Sequence, residues 1–238
     1  MCASPVLPDA RRPEEYADAG DSPTRERGST GRLEAFLFRG PAGNIEGLWK
    51  EPEGARAGSA VFAHPHPLHG GTLHNKVVFR AAKTLARAGY GVLRFNFRGV
   101  GLSQGRYDEG RGEASDFRAA LDEAERRGGG PLLAGGFSFG SAAALRAVPG
   151  DERVRAFLGV GVPLASLRAD PPPLPTVPAL FVTGSEDVHG PPALLQEWAR
   201  GAGRIVIVPG ADHFLEGKLG ALEAAIRDFL AELRGSDL

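Results

Sequence analysis

Apolar positions along this chain fall into two alternating textures, and the alternation predicts the fold. One texture is a short continuous apolar run: GSAVFAH at 58–64, YGVLRFNF at 90–97, PLLAGG at 131–136, VRAFLGVGV at 154–162, PALFVTG at 178–184 and RIVIVPG at 204–210. Runs of this length, rich in β-branched and aromatic residues and closed by glycine or proline, predict strands buried on both faces. The other texture is a one-sided stripe. Val78, Ala81, Ala82 and Leu85 recur at i, i+3, i+4 and i+7, and Phe117, Ala120, Leu121 and Ala124 repeat that spacing. Each predicts an amphipathic helix, the first closing at Gly89 and the second at the glycines 128–130. Further helices are expected over about 139–148, around PALLQEWARG at 192–201, and over the last stretch bearing Leu222, Ile226, Phe229, Leu230 and Leu233. Upstream, LEAFLF and NIEGLWK, joined through RGPAG, predict a strand pair.

Predominantly apolar strands separated by amphipathic helices imply an α/β fold with a mostly parallel central sheet covered on both faces. Function in such sheets gathers at the carboxyl ends of the strands. The motifs HPHPLHGG, NFRGVG, GFSFG, GSED and GADHF each directly follow a predicted strand. Residues 1–30 mix Pro, Arg, Glu, Asp, Ser and Thr with few large apolar groups, which predicts a disordered tail before one domain at 31–238. PLASLRADPPPLPTVP, between two predicted strands, is short, so little or no cap domain is expected.

Charge and composition narrow the function classes. Lys+Arg 28 against Asp+Glu 29 gives a formal net charge of -1, without the basic surface that nucleic acid requires, so no nucleic-acid partner is expected. The single cysteine, Cys2, excludes an intrachain disulfide and a thiolate zinc site, and suits a reducing compartment. The opening MCASPVLPDARRPEEY reaches proline and charge at once, unlike a secretory signal, and no apolar stretch is long enough for a membrane span. A cytoplasmic protein without membrane attachment is the expectation.

The sharpest chemical signal is GGFSFGSAAAL, where Gly136, Phe137, Ser138, Phe139 and Gly140 fit G-x-S-x-G between a predicted strand and helix. A serine at so sharp a turn takes strained dihedrals and draws neighbouring segments close, which leaves room only for glycine on either side. A hydroxyl needs a base to become a nucleophile at neutral pH, and the base needs a carboxylate to orient it. Asp187 in GSED and His213 in GADHF follow later strands, in the chain order Ser, Asp, His. Glu186 and Asp212 are the rival acids.

Four of the six histidines crowd into AHPHPLHGGTLHN at 63–75. His64, His66 and His69 fall on the histidine positions of the metal motif H-x-H-x-D-H, but Leu68 stands at its carboxylate position. The loop reads better as an oxyanion loop, since acyl transfer needs one amide after the nucleophile and another after an early strand. Pro65 and Pro67 have no N–H, which leaves the amide of His66 as the expected donor, with Leu68 next and Phe139 supplying the other amide. His69 and His74 read as packing or hydrogen-bonding residues, and His189 as a loop residue near the acid. No metal and no cofactor are expected.

HPHPLHGGTLHNKVV, VLRFNFRGVGLSQG, GFSFG, GSED and GADHFLEGKL together resemble the small bacterial α/β-hydrolases, carboxylesterase-like proteins related to dienelactone hydrolases and serine-peptidase-like hydrolases. The resemblance covers roughly residues 33–235 and implies a triad of Ser138, Asp187 and His213. Two departures stand out: Asn96 holds a position that is Asp in many of the wider group, and the elbow carries Ser138 where dienelactone hydrolases use cysteine. NFRGVG reads as structural, with Arg98 tying loops together. The expected activity is hydrolysis of small to medium carboxylic esters through an acyl-enzyme. A peptidase, amidase or acyltransferase on the same triad and a non-catalytic binding protein are the alternatives. Phe137, Phe139, Leu68 and Phe214 flank the triad and predict a partly apolar pocket.

Overall fold

The computed structural model describes residues 31–235, so the tail expected over 1–30 lies outside the described residues. Eight strands form one sheet: β1 (Leu33–Gly40), β2 (Gly43–Lys50), β3 (Gly58–Ala63), β4 (Tyr90–Phe95), β5 (Leu132–Phe137), β6 (Val154–Val160), β7 (Ala179–Gly184) and β8 (Arg204–Val208). Their spatial order is β1-β2-β4-β3-β5-β6-β7-β8. The β1–β2 and β2–β4 pairs are antiparallel and the rest are parallel. The helices are α1 (Lys76–Arg87), α2 (Arg111–Gly128), α3 (Phe139–Ala147), α4 (Pro192–Ala199) and α5 (Leu219–Gly235). The expected α/β architecture is therefore present, element by element.

Alternating side chains of the central strands feed two separate cores. Val61, Phe95, Phe157 and Phe181 point to the side covered by Phe117 and Leu121 of α2, Ala143 and Ala144 of α3, and Leu195 of α4. Ala60, Phe62, Val92, Leu180 and Val182 point to the other, covered by Val78, Ala82 and Leu85 of α1 and Ile226, Phe229 and Leu230 of α5. Helix α1 starts where the Asn75 side chain accepts from the amides of Val77 and Val78.

Two predicted strands stop early for local reasons. Asn96 leaves the β4 line because its side chain accepts from Leu73 N at 2.8 Å and donates to Glu46 Oε2 at 2.7 Å. After β6 the chain turns at Gly161, whose φ of 54° is closed to most side chains. Residues 161–178, between β6 and β7, hold no helix, in keeping with the missing cap.

The loop from β4 to α2 is fastened throughout. Arg98 donates from Nε to Asp116 Oδ2 at 2.9 Å and from Nη2 to Asp116 Oδ1 at 2.7 Å, and Asp116 is fully buried. Glu113 accepts from the amides of Asp108 and Gly110, both at 2.8 Å, as a side-chain cap on the α2 start. Arg98 thus ties loop to helix, as the sequence predicts.

Candidate active site

The loops leaving β3, β5, β7 and β8 bring the chemically marked residues to one rim of the sheet. Ser138 stands between β5 and α3 with φ 53° and ψ −122°, a strained conformation for a residue with a side chain. What holds it is close packing. A Cβ on Gly136 would lie 2.4 Å from the Gly140 carbonyl carbon, and one on Gly140 would lie 2.4 Å from His64 O and 2.6 Å from Ala63 O. Glycine at these two sites lets α3 begin directly against the end of β3. The Ser138 amide also donates to Val160 O at 2.8 Å, which fixes the turn to β6.

His213 Nε2 lies 2.9 Å from Ser138 Oγ, and His213 Nδ1 lies 2.9 Å from both carboxylate oxygens of Asp187. An ionised carboxylate only accepts, so the proton of the neutral imidazole belongs on Nδ1 and Nε2 is left to accept from the serine hydroxyl. Burial alone would raise the Asp187 pKa, but hydrogen bonds from His213 and the amides of Gly190 and His189 outweigh it and hold the carboxyl below its usual value. Those amides reach Asp187 Oδ1 at 2.8 and 2.9 Å, and the Thr183 hydroxyl stands 3.1 Å from Oδ2. Asp187 is thereby an anion with every face occupied.

Neither rival acid takes part. Glu186 is exposed, and Asp212 Oδ1 accepts from the amides of Phe214 at 3.0 Å and Glu216 at 3.1 Å in its own turn. The His213 ring rests on Phe137, 5.0 Å between centroids, with the ring of His189 4.7 Å away. Phe137 is fully buried, so it is a floor beneath His213 and lines no pocket, contrary to expectation. Leu68 and Phe214 are exposed at the rim, and Val188 joins them.

Phe139 is the first residue of α3, and a first helical amide has no partner within its helix. His66 lies next to it, 5.0 Å between ring centroids. Among the described residues neither the His66 amide nor the Phe139 amide donates to another group. Two unengaged amides, one beside a helix N-terminus, are suited to an anion.

Of the other histidines of the loop, His64 is held by hydrogen bonds and His69 by ring stacking. His64 is fully buried, with Nδ1 2.7 Å from Pro65 O and Nε2 accepting from Phe97 N at 3.0 Å. Burial pushes its pKa down to about 4, with the bond to Pro65 opposing. Both ring nitrogens are engaged, so His64 offers no lone pair to an ion. His69 stacks on His66 with centroids 4.3 Å apart. Among the described residues no group of three or more His, Cys, Asp or Glu side chains is placed to hold a metal ion.

Thr183 and Tyr107 are two neighbours that the sequence reading missed. Thr183 was detectable as the one hydroxyl in the apolar strand ALFVTG, whereas Tyr107 lies in a loop without periodicity.

Residues 66–166 match the family described as serine aminopeptidase, S33. The chain is 35% identical to the uncharacterized protein RP471 of Rickettsia prowazekii (strain Madrid E), over 84% of this chain and 90% of that one. Among solved structures it is similar to an alpha-beta serine hydrolase homologue from Coxiella burnetii, at 36% identity and a TM-score of 0.74, covering 82% of this chain and 96% of that one. It is also similar to XC6422 from Xanthomonas campestris, described as an α/β serine hydrolase without lid, at 30% identity and a TM-score of 0.77, covering 89% and 98%. Sheet order, strained serine turn and overall likeness agree: the chain belongs to the α/β serine hydrolase family.

Proposed function

We propose that the protein hydrolyses carboxylic esters of small to medium acyl groups through an acyl-enzyme on Ser138, with His213 as base and Asp187 as its orienting anion. The observation that carries this reading is the unbroken chain from Asp187 through His213 to Ser138 Oγ, each link at 2.9 Å. Ser138 Oγ attacks the acyl carbon as its proton passes to His213 Nε2, and Asp187 stabilises the imidazolium. The amides of His66 and Phe139 hold the oxyanion. Collapse of the tetrahedral adduct expels the alcohol, which takes the proton from Nε2. Water then repeats the sequence on the acyl-enzyme and releases the acid.

The short segment 161–178 favours accessible esters, and the exposed Leu68, Val188 and Phe214 favour apolar acyl groups. The chemistry needs no metal or cofactor. The near-neutral charge and lone Cys2 support a cytoplasmic enzyme that takes a small-molecule substrate and has neither nucleic acid nor membrane as partner. Among the described residues no helix is long and apolar enough to cross a membrane.

The test is Ser138→Ala. This variant keeps the fold by circular dichroism, loses labelling by a fluorophosphonate probe, and loses turnover of p-nitrophenyl acetate by at least about 10⁴-fold. Undiminished turnover would reject the reading. A peptidase reading is favoured by the serine aminopeptidase match over residues 66–166. Turnover of aminoacyl p-nitroanilides above that of matched esters would establish it in place of the esterase.

A further inference from the structure

The His66 ring does something its amide does not. His66 Nδ1 accepts from the Leu68 amide at 3.2 Å, closing a single 3-10 turn at Pro67–His69. A backbone N–H can only donate, so Nδ1 carries no proton and the neutral ring bears it on Nε2. Nε2 lies 3.2 Å from the Tyr107 hydroxyl, so Nε2–H donates to Tyr107 Oη. The phenolic proton is then directed elsewhere, and among the described residues Tyr107 Oη has no other partner.

We propose that Tyr107 is a further catalytic donor, its O–H reaching the substrate carbonyl oxygen as that oxygen becomes an anion. Two features of the geometry carry it. The Tyr107 ring packs on Phe139 with centroids 5.8 Å apart and on His66 at 5.1 Å, which are the two residues whose amides stand unengaged. The loop bearing it is held at both ends, by Gln104 N donating to Asn44 O at 2.8 Å and by the Glu113 cap on Asp108 and Gly110. A donor held this firmly costs little reorganisation when charge develops. Burial and the nearby carboxylates of Glu113 and Glu109 raise the Tyr107 pKa, and burial together with His69 lowers that of His66. At neutral pH the tyrosine therefore keeps its proton and the histidine stays uncharged.

The inference rests on the acyl-enzyme reading of Ser138. Tyr107→Phe removes one oxygen and keeps the packing, so its melting temperature should stay near that of the parent. Its kcat for p-nitrophenyl acetate should fall at least about tenfold while KM changes less than about threefold, since the bond forms with the anion. His66→Asn offers Oδ1 to the Leu68 amide but is too short to reach Tyr107. Its effect on kcat should be smaller in the Tyr107→Phe background than alone, which simple packing would not produce. An unchanged kcat in Tyr107→Phe, or additive losses in the pair, would overturn the proposal while fluorophosphonate labelling of Ser138 persists. If Ser138→Ala retains turnover, the acyl-enzyme reading fails and this inference falls with it.

Discussion

His64 makes the fold sensitive to mild acid in a way that can be calculated. Its imidazole is fully buried between Pro65 O and Phe97 N, and burial lowers its pKa from 6.5 to about 4. The unfolded chain, with an ordinary histidine, takes up a proton at higher pH than the folded one does. Stability from the neutral ring is therefore complete above pH 6.5 and drains away as pH falls toward about 4, below which both states are protonated. With those two values, lowering the pH from 7 to 5 removes about 2 kcal/mol, from the ratio of the two binding polynomials. Urea unfolding of the parent and of His64→Gln at both pH values isolates this contribution, because other titrating groups are common to both. Gln presents Oε1 near the former Nε2 and can still accept from Phe97 N. The variant should be less stable at pH 7, by about 1–3 kcal/mol. Between pH 7 and 5, however, it should lose about 2 kcal/mol less than the parent does. Equal losses in the two proteins would refute the argument.

Other perturbations probe the elbow and the acid. Asp187→Asn removes the charge facing His213 Nδ1 and favours the wrong tautomer, so kcat for p-nitrophenyl acetate should fall by about 10⁴-fold with the melting temperature little changed. Gly140→Ala forces a methyl to within 2.4 Å of His64 O and should destabilise by about 1–3 kcal/mol in urea unfolding. The same variant should lose fluorophosphonate labelling even when folded, because α3 can no longer begin against β3.

What the sequence disclosed depended on how locally each feature was encoded. Strands and helices were readable because their apolar periods are set by contacts with one sheet, and Ser138 because its turn demands glycine at 136 and 140. Asp187 and His213 were readable from their positions after β7 and β8, since a parallel sheet sends every such loop to the same rim. Contacts between distant loops left no local trace. Nothing near Tyr107 announces its bond to His66, and Phe137 looked like a pocket residue because chain adjacency to Ser138 does not reveal which face of the sheet a side chain enters. The histidine run was ambiguous for a related reason: its pattern mimics a metal motif, whereas one of the two bonds that engage the His64 ring comes from Phe97, well along the chain.

The segment 161–178 holds no helix that could serve as a cap over Ser138, and this has a bearing on how turnover would proceed. On the acyl-enzyme reading, no hinge has to open before product leaves, so the slow step falls on bond making or breaking and not on a gate. On that reading water, at its bulk concentration, outnumbers any competing alcohol at the acyl-serine. The architecture therefore disposes the acyl group toward release as free acid, at the expense of the dry surroundings that sharpen charge stabilisation in covered enzymes.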